Sequence, residues 1–148
     1  MITLRRVEES DKESLWQWRN DVLTREMSID RHEVPWGDHC AWFERVQDDP
    51  NRHLLIGEFE RNPIGTVRLD KAAETAEINI TIAPTARGKG FGLALLEAAT
   101  QYAKTQELIS LTAVIRPANK ASQIIFERAG YQSYKRDQDL GYYRLDLC

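Results

Sequence analysis

The sequence predicts one domain over residues 1–148, of mixed α/β (α+β) class. Three observations predict it. Seven short runs alternate or concentrate apolar residues as strands do, and four longer runs space them three and four apart, as amphipathic helices do. Turn residues join three of the strands into an antiparallel series. A glycine-rich bend, Arg87-Gly88-Lys89-Gly90-Phe91-Gly92, then leads from the last of those strands into a helix.

The first strand is residues 2–7, with Ile2, Leu4 and Val7 as its apolar positions. Ser10-Asp11-Lys12-Glu13 has the spacing of a capping box, with Ser10 as N-cap, for a helix that carries Leu15, Trp16 and Trp18 and ends near Asn20. Two readings of that helix stand side by side. Its tryptophans and Arg19 stack on a substrate, or the tryptophans anchor the core and Arg19 pairs with an acid. Residues 21–35 are irregular and polar, the character of a loop that carries binding function. A second helix follows over residues 37–48, with Trp42, Phe43 and Val46 on its apolar stripe. His39 on that helix either handles substrate or a proton, or is hydrogen-bonded into the framework. Residues 54–60 and 64–70 flank Arg61-Asn62-Pro63 as a hairpin, Glu74 and Thr75 turn the chain again, and residues 76–82 form the next strand. Leu95, Ala98, Ala99 and Tyr102 mark a helix over 91–105. An apolar strand over 108–115 is broken by Pro117, which cannot continue a ladder. Asn119 is a good N-cap for a helix over 120–128, and Gly130 suits its C-terminal cap. Residues 131–136 and 142–147 close the chain as a strand pair around 137–141.

Gly88, Gly90 and Gly92 remove three side chains from one short bend, so main-chain N–H groups there can approach a ligand closely. The helix behind the bend begins with unpaired N–H groups and the positive end of its dipole. Together these make an anion site, and phosphate suits it. Arg87 and Lys89 add formal charge. The order Gly-x-x-x-x-Gly-Lys-Ser/Thr of a P-loop is absent, and Gly-x-Gly-x-Gly is not the Gly-x-Gly-x-x-Gly of a dinucleotide fold. A turn that merely connects strand to helix is the remaining alternative.

Composition excludes several classes. A net charge of -3 argues against a nucleic-acid partner, which asks for a basic face. No window holds eighteen apolar residues, so no membrane association is expected. Residues 1–6 lack the apolar run of a signal peptide, and Cys40 and Cys148 share no motif spacing. Reduced thiols, a cytoplasmic location and no metal are therefore expected.

Arg87-x-x-Gly90-x-Gly92 resembles the Gln/Arg-x-x-Gly-x-Gly/Ala signature of the GNAT N-acetyltransferases, and Asn119-x-x-Ser122-x-x-x-Phe126-x-x-x-Gly130-Tyr131 looks like that family's second signature, Asn-x-x-Ala-x-x-x-Tyr-x-x-x-Gly-Phe. The resemblance implies a mixed, mostly antiparallel sheet with helices on both faces. It implies acetyl-CoA as co-substrate, its pyrophosphate on the amides of Arg87 to Gly92. The strands at 76–83 and 108–115 should splay, so that Ile80 and Ile82 offer backbone groups to the pantetheine arm. Arg87, Gly88, Lys89, Gly90, Phe91, Gly92, Asn119, Ser122 and Phe126 complete the implied cofactor contacts.

Acetyl transfer to an amine needs a base for the ammonium, a donor for the thioester oxygen and a proton for the leaving thiolate. Glu77 is the candidate base, and by resemblance the Ile82 N–H is the oxyanion donor. Phe126 stands where many members carry a proton-donating tyrosine, and Val114 where the ribosomal-protein acetyltransferases place a glutamate. Tyr134, Tyr142 and Tyr143 are possible substitutes, with Tyr142 our candidate for the acid. Trp16-x-Trp18-Arg19-Asn20 followed by His39-x-x-Trp42-Phe43 resembles members acting on nucleotide-linked amino sugars. The expected acceptor is thus a small amine, for a monomer or homodimer. A protein N-terminus or lysine, or an acyl-CoA sensor without turnover, is the alternative.

Overall fold

The computed structural model describes residues 1–137 and 139–147; the expected thiol Cys148, and Gln138 in the expected 137–141 turn, lie outside the described residues. Seven strands form one sheet: β1 (Ile2–Arg6), β2 (Arg52–Phe59), β3 (Asn62–Ala72), β4 (Thr75–Ile82), β5 (Ser110–Ile115), β6 (Gln132–Arg136) and β7 (Gly141–Asp146). Their order is β1-β2-β3-β4-β5-β7-β6, and only the β4–β5 pair is parallel. The described residues also form five helices: α1 (Lys12–Asn20), α2 (Val22–Met27), α3 (Trp36–Asp48), α4 (Phe91–Thr105) and α5 (Lys120–Arg128).

Strand alternation divides the sheet into two faces. Leu55, Val67, Leu69, Ala76, Ile78, Leu111 and Ala113 point to one, where they join Leu95, Leu96, Ala99 and Ala103 of α4 and Phe126 of α5 in the main core. Leu54 and Ile56 point to the other, where Leu15, Phe43 and Val46 of α1 and α3 cover them. On that second face α1 and α3 cover β2, while farther across the sheet β4 and β5 present Glu77, Asn79, Thr112 and Val114, residues left exposed or half-buried.

Local chemistry moved several expected boundaries. The cap before α1 is not Ser10 with Glu13. Asp11 accepts from the Glu8 N–H at 2.7 Å and from both Arg5 terminal nitrogens, at 2.8 and 2.9 Å, and a 3-10 turn over Glu9–Asp11 precedes the helix. A buried carboxylate with an arginine partner outcompetes a solvent-exposed serine. The first hairpin turns at Glu60-Arg61, both at positive φ (51° and 68°), so Phe59 pairs with Asn62 and Pro63 lies inside β3. Pro63 faces Glu58 beside a register shift between Gly57 and Glu58, the place in a ladder where a missing donor costs least. The next turn is centred on Ala73-Glu74, with Ala72 paired to Thr75. Asn119 caps α5 as expected, accepting from the Ser122 N–H at 3.2 Å, and Gly130 follows at φ 98°.

Candidate active site

β4 and β5 pair through only three positions, Thr75 to Glu77 against Ser110 to Thr112. Beyond Glu77 they part: β4 continues with β3 as far as Ile82, and β5 continues with β7 as far as Ile115. Two bonds tell which groups line the opening. Ala83 donates to the Ile64 carbonyl and Ile109 to the Glu74 carbonyl, each at 2.8 Å. Successive residues of a strand turn their polar groups to opposite sides, so the odd residues of β4 serve β3 and the even ones face β5. The Ile78 N–H is taken up in the last parallel pair, so Ile80 and Ile82 are the residues that aim both N–H and C=O groups into a gap with no strand among the described residues to receive them, where an extended ligand can complete the ladder.

The gap leads to the glycine bend. Pro84 to Ala86 make a 3-10 turn, Arg87 is extended, and Gly88 and Gly90 take φ values of 74° and 78°, where a side chain would be strained. A Cβ at either glycine would meet nothing within 4 Å, so the bend is bare. Gly90 is the N-cap of α4 without a side-chain cap, and no acidic residue sits in the first turn. The opening N–H groups of α4 thus remain available to an anion. Gly92 lets α5 close on that turn, since a Cβ there would stand 3.0 Å from Ile125. Lys89 is exposed and makes no ion pair among the described residues.

Other expected contacts fall differently. The Arg87 guanidinium is not loose at the mouth; it pairs with Asp21 and donates to the Thr24 hydroxyl at 2.8 Å. That pairing holds the Asp21 carboxyl below its usual range. Phe126 is 3% exposed and meets Tyr131 edge-on at 4.9 Å, so its ring fills the core and does not line the gap as expected of a cofactor contact. Asn119 and Ser122 are half-buried at the start of α5, engaged with each other through the cap.

On the second face, Glu77 is the last β4 residue still paired with β5. Ile82 lies five residues on, roughly 16 Å along the strand. The expected pairing of Glu77 as base with the Ile82 N–H as oxyanion donor is therefore too long to serve one carbonyl; Ile80, about 10 Å from Glu77 along β4, is the nearer gap-facing donor past it. The tyrosines also separate. Tyr143 is in the core, and Tyr134 is 57% exposed on edge strand β6. Tyr142 pairs with Val114 and so shares the face of Glu77. Its phenol donates to Asp137 at 3.2 Å, and desolvation, then that carboxylate, raises its pKa, so it keeps its proton at neutral pH.

Around this face the Trp-rich segment takes several roles. Trp18 packs against both cores. Trp16 donates to the Val34 carbonyl at 2.7 Å, and Asn20 binds both polar groups of Val34, at 2.7 and 2.8 Å, pinning the 28–35 segment. His39 is fully buried; its Nε2 donates to the Lys12 carbonyl at 2.8 Å, and burial lowers its pKa, so it is a framework residue. Arg19 has no carboxylate partner among the described residues, contrary to the expected acid pair. Its guanidinium lies 4.7 Å from the Trp42 ring centre and reaches His39 Nδ1 at 3.4 Å. Burial, then the charge of Arg68, depresses its pKa, and Arg68 pairs across the ladder with Asn79, two residues past Glu77. Helix α2 went unseen in the sequence, although Asp21 accepting from the Thr24 N–H at 3.1 Å is an ordinary N-cap signal. A hollow of about 540 Å³ lies elsewhere, between the free edge of β1 and α4, lined by Ile2, Leu4, Ala98 and Tyr102 among others.

An opened strand edge running into a bare helix start defines an enzyme that holds an extended, phosphate-bearing coenzyme beside a second, polar binding face. The profile of the acetyltransferase (GNAT) domain matches residues 1–132, and the chain belongs to that family. It is an N-acetyltransferase with acetyl-CoA as co-substrate. A candidate phosphinothricin acetyltransferase of Bacillus subtilis (strain 168) is 29% identical over 144 residues, covering 90% of this chain and 85% of that one. In fold the chain is similar to a Vibrio cholerae spermidine N-acetyltransferase solved with CoA and spermine (TM-score 0.88, 21% identity, 99% of this chain and 95% of that one). It is likewise similar to an aminoglycoside acetyltransferase solved with coenzyme A (TM-score 0.86, 19% identity, 99% and 95%). No helix among the described residues is long and apolar enough to cross a membrane.

Proposed function

We propose that this acetyltransferase acylates the primary amine of a small molecule that also carries an anionic group, a nucleotide-linked amino sugar being one such acceptor. The observation that carries the acceptor's charge is Arg19: a desolvated guanidinium stacked on Trp42, pressed by Arg68, offset in part by the charge of Asp30 and paired with no carboxylate among the described residues. Arg68 is itself paired with Asp70 at 3.2 Å, so Arg19 is the cation that no carboxylate touches among the described residues, which favours an anion beside it and disfavours a polycation. The pantetheine arm lies along Ile78, Ile80 and Ile82 with its diphosphate on the amides of residues 87–92, which leaves the thioester near the point where β4 and β5 part.

Glu77 then takes a proton from the acceptor's ammonium, directly or through one water. The neutral amine attacks the thioester carbonyl; a C–N bond forms as the C–S bond breaks, and the Ile80 N–H meets the oxygen that gains charge. The coenzyme leaves as thiolate, and the proton shed by the nitrogen as the amide forms balances the one the thiolate takes up, passed on through Tyr142 or solvent. Holding both partners in one groove supplies much of the rate through proximity. The test is thiol release from acetyl-CoA with a panel of amines. Release with amino-sugar phosphates or nucleotide-linked amino sugars, and little with spermidine, supports the reading. A preference for polyamines overturns the acceptor assignment, and silence with every amine overturns the activity.

A further inference from the structure

Helix α2 touches both rims of the gap. At its N-terminus Asp21 holds Arg87, the residue at which the β4 rim enters the glycine bend, and Thr24 adds a second contact at 2.8 Å. At its C-terminus the Ser28 carbonyl accepts from Arg116, the residue just past the end of β5, at 3.3 Å. The chain between these ends carries Val22 and Leu23, apolar yet 61% and 49% exposed, and no residue of α2 is buried. A six-residue helix with no fully buried residue is too short to hold itself together in water. Besides its packing on α1 and the Arg25–Glu33 pair, it is held by these two polar attachments, and one of them is made to the coenzyme's own bend.

We propose that α2 is a strap across the mouth of the gap and that Asp21 is its positioning residue, linking occupation of the glycine bend to the wall against which the acceptor lies. The inference rests on the bend being the diphosphate site. A diphosphate on the amides of residues 87–92 orders the bend and with it the backbone of Arg87; an Arg87 fixed in place fixes Asp21, and through it α2. Coupling of this kind is reciprocal, so an ordered α2 also favours the coenzyme, though only by the share of its free energy that the Asp21–Arg87 pair carries.

Asp21→Asn separates the roles of Asp21. Asparagine is as good an N-cap as aspartate, so the bond to the Thr24 N–H and the helix start survive, while the ion pair to Arg87 is lost. Hydrogen exchange of residues 22–27, measured with and without CoA, should slow on CoA binding in the parent chain and stay unchanged in Asp21→Asn. The KM for an accepted amine should rise about tenfold, the worth of one charge-assisted contact, with the CoA affinity changed less than about threefold. In a double-mutant cycle with Arg87→Gln, the amine KM of the double variant should match that of the worse single variant. Slowed exchange in Asp21→Asn equal to that of the parent would overturn the linkage, as would additive losses in the cycle. CoA that fails to bind the parent chain would instead overturn the diphosphate assignment beneath it, and calorimetry of the parent reads that separately.

Discussion

Removing one oxygen from Tyr131 should make the protein more stable. The residue is 3% exposed, and its hydroxyl is buried with no hydrogen-bond partner among the described residues. Burial raises the phenol's pKa well above its ordinary value, which has the same cause: nothing nearby compensates a polar or charged oxygen. An unpartnered buried hydroxyl costs about 1–3 kcal/mol relative to water. Tyr131→Phe removes that cost and keeps the ring, including its edge-on contact with Phe126 at 4.9 Å, so no large cavity offsets the gain. Allowing for a small void at the vacated oxygen, a net gain of about 1–2 kcal/mol is expected, which for a chain of this size raises Tm by about 2–8 °C. Thermal melts followed by circular dichroism, with urea unfolding to check that the m-value is constant, measure it directly. A Tm lowered by 2 °C or more would show that the hydroxyl is hydrogen-bonded in solution and that the burial argument is mistaken. A gain in Tm accompanied by a fall in kcat would mean that the hydroxyl is retained for the reaction at a cost in stability.

Gly90→Glu should weaken CoA binding on the order of a hundredfold. The new carboxylate faces the diphosphate with about 1–4 kcal/mol of repulsion per charge met at 4 Å, and φ of 78° adds strain; calorimetry showing unchanged affinity would remove the phosphate assignment. Glu77→Gln should slow turnover more at pH 6.5 than at pH 9, because more acceptor is already neutral at high pH; an equal loss at both marks Glu77 as structural. Arg19→Gln should raise the KM for an anionic acceptor about tenfold or more while leaving that for an uncharged small amine within about twofold, a difference that steady-state kinetics reads. Stability should decline as pH falls below about 6.5: His39 and His53 are both held neutral by burial, their pKa values lie below the unfolded value, and the unfolded chain takes up protons first. Asp11, lowered by Arg5, adds a second loss below about pH 4, so Tm measured from pH 8 to 3 should fall in two stages.

What could be read from the chain beforehand divides along a physical line. Elements whose residues obey one local rule were legible: α4 runs over Phe91–Thr105 and α5 over Lys120–Arg128, each set by its own apolar spacing and its own cap. The glycine bend was legible for the same reason, since positive φ at Gly88 and Gly90 is a property of those residues alone. Whatever depends on a partner far along the chain was not. Arg87 read as free charge because Asp21, its counter-ion, lies 66 residues earlier in a stretch too polar and short to declare itself as helix. Arg19 read either as a substrate contact or as half of an ion pair, and only the fold shows that its neighbours are Trp42, His39 and a second arginine. Glu77 and Ile82 read as base and oxyanion donor from the family resemblance, and the roughly 16 Å between them along β4 is long for two groups serving one carbonyl. These misreadings share a consequence. The motif-bearing half of the site, bend and gap, is made of main chain and tolerates a varied sequence, so it identifies the coenzyme. The acceptor half is made of single side chains brought in by α1, α2, β3 and β7. On the proposed reading acceptor choice rests on Arg19, where no spacing rule announces it, and exchange of that residue should alter acceptor choice while the coenzyme site is left as it is.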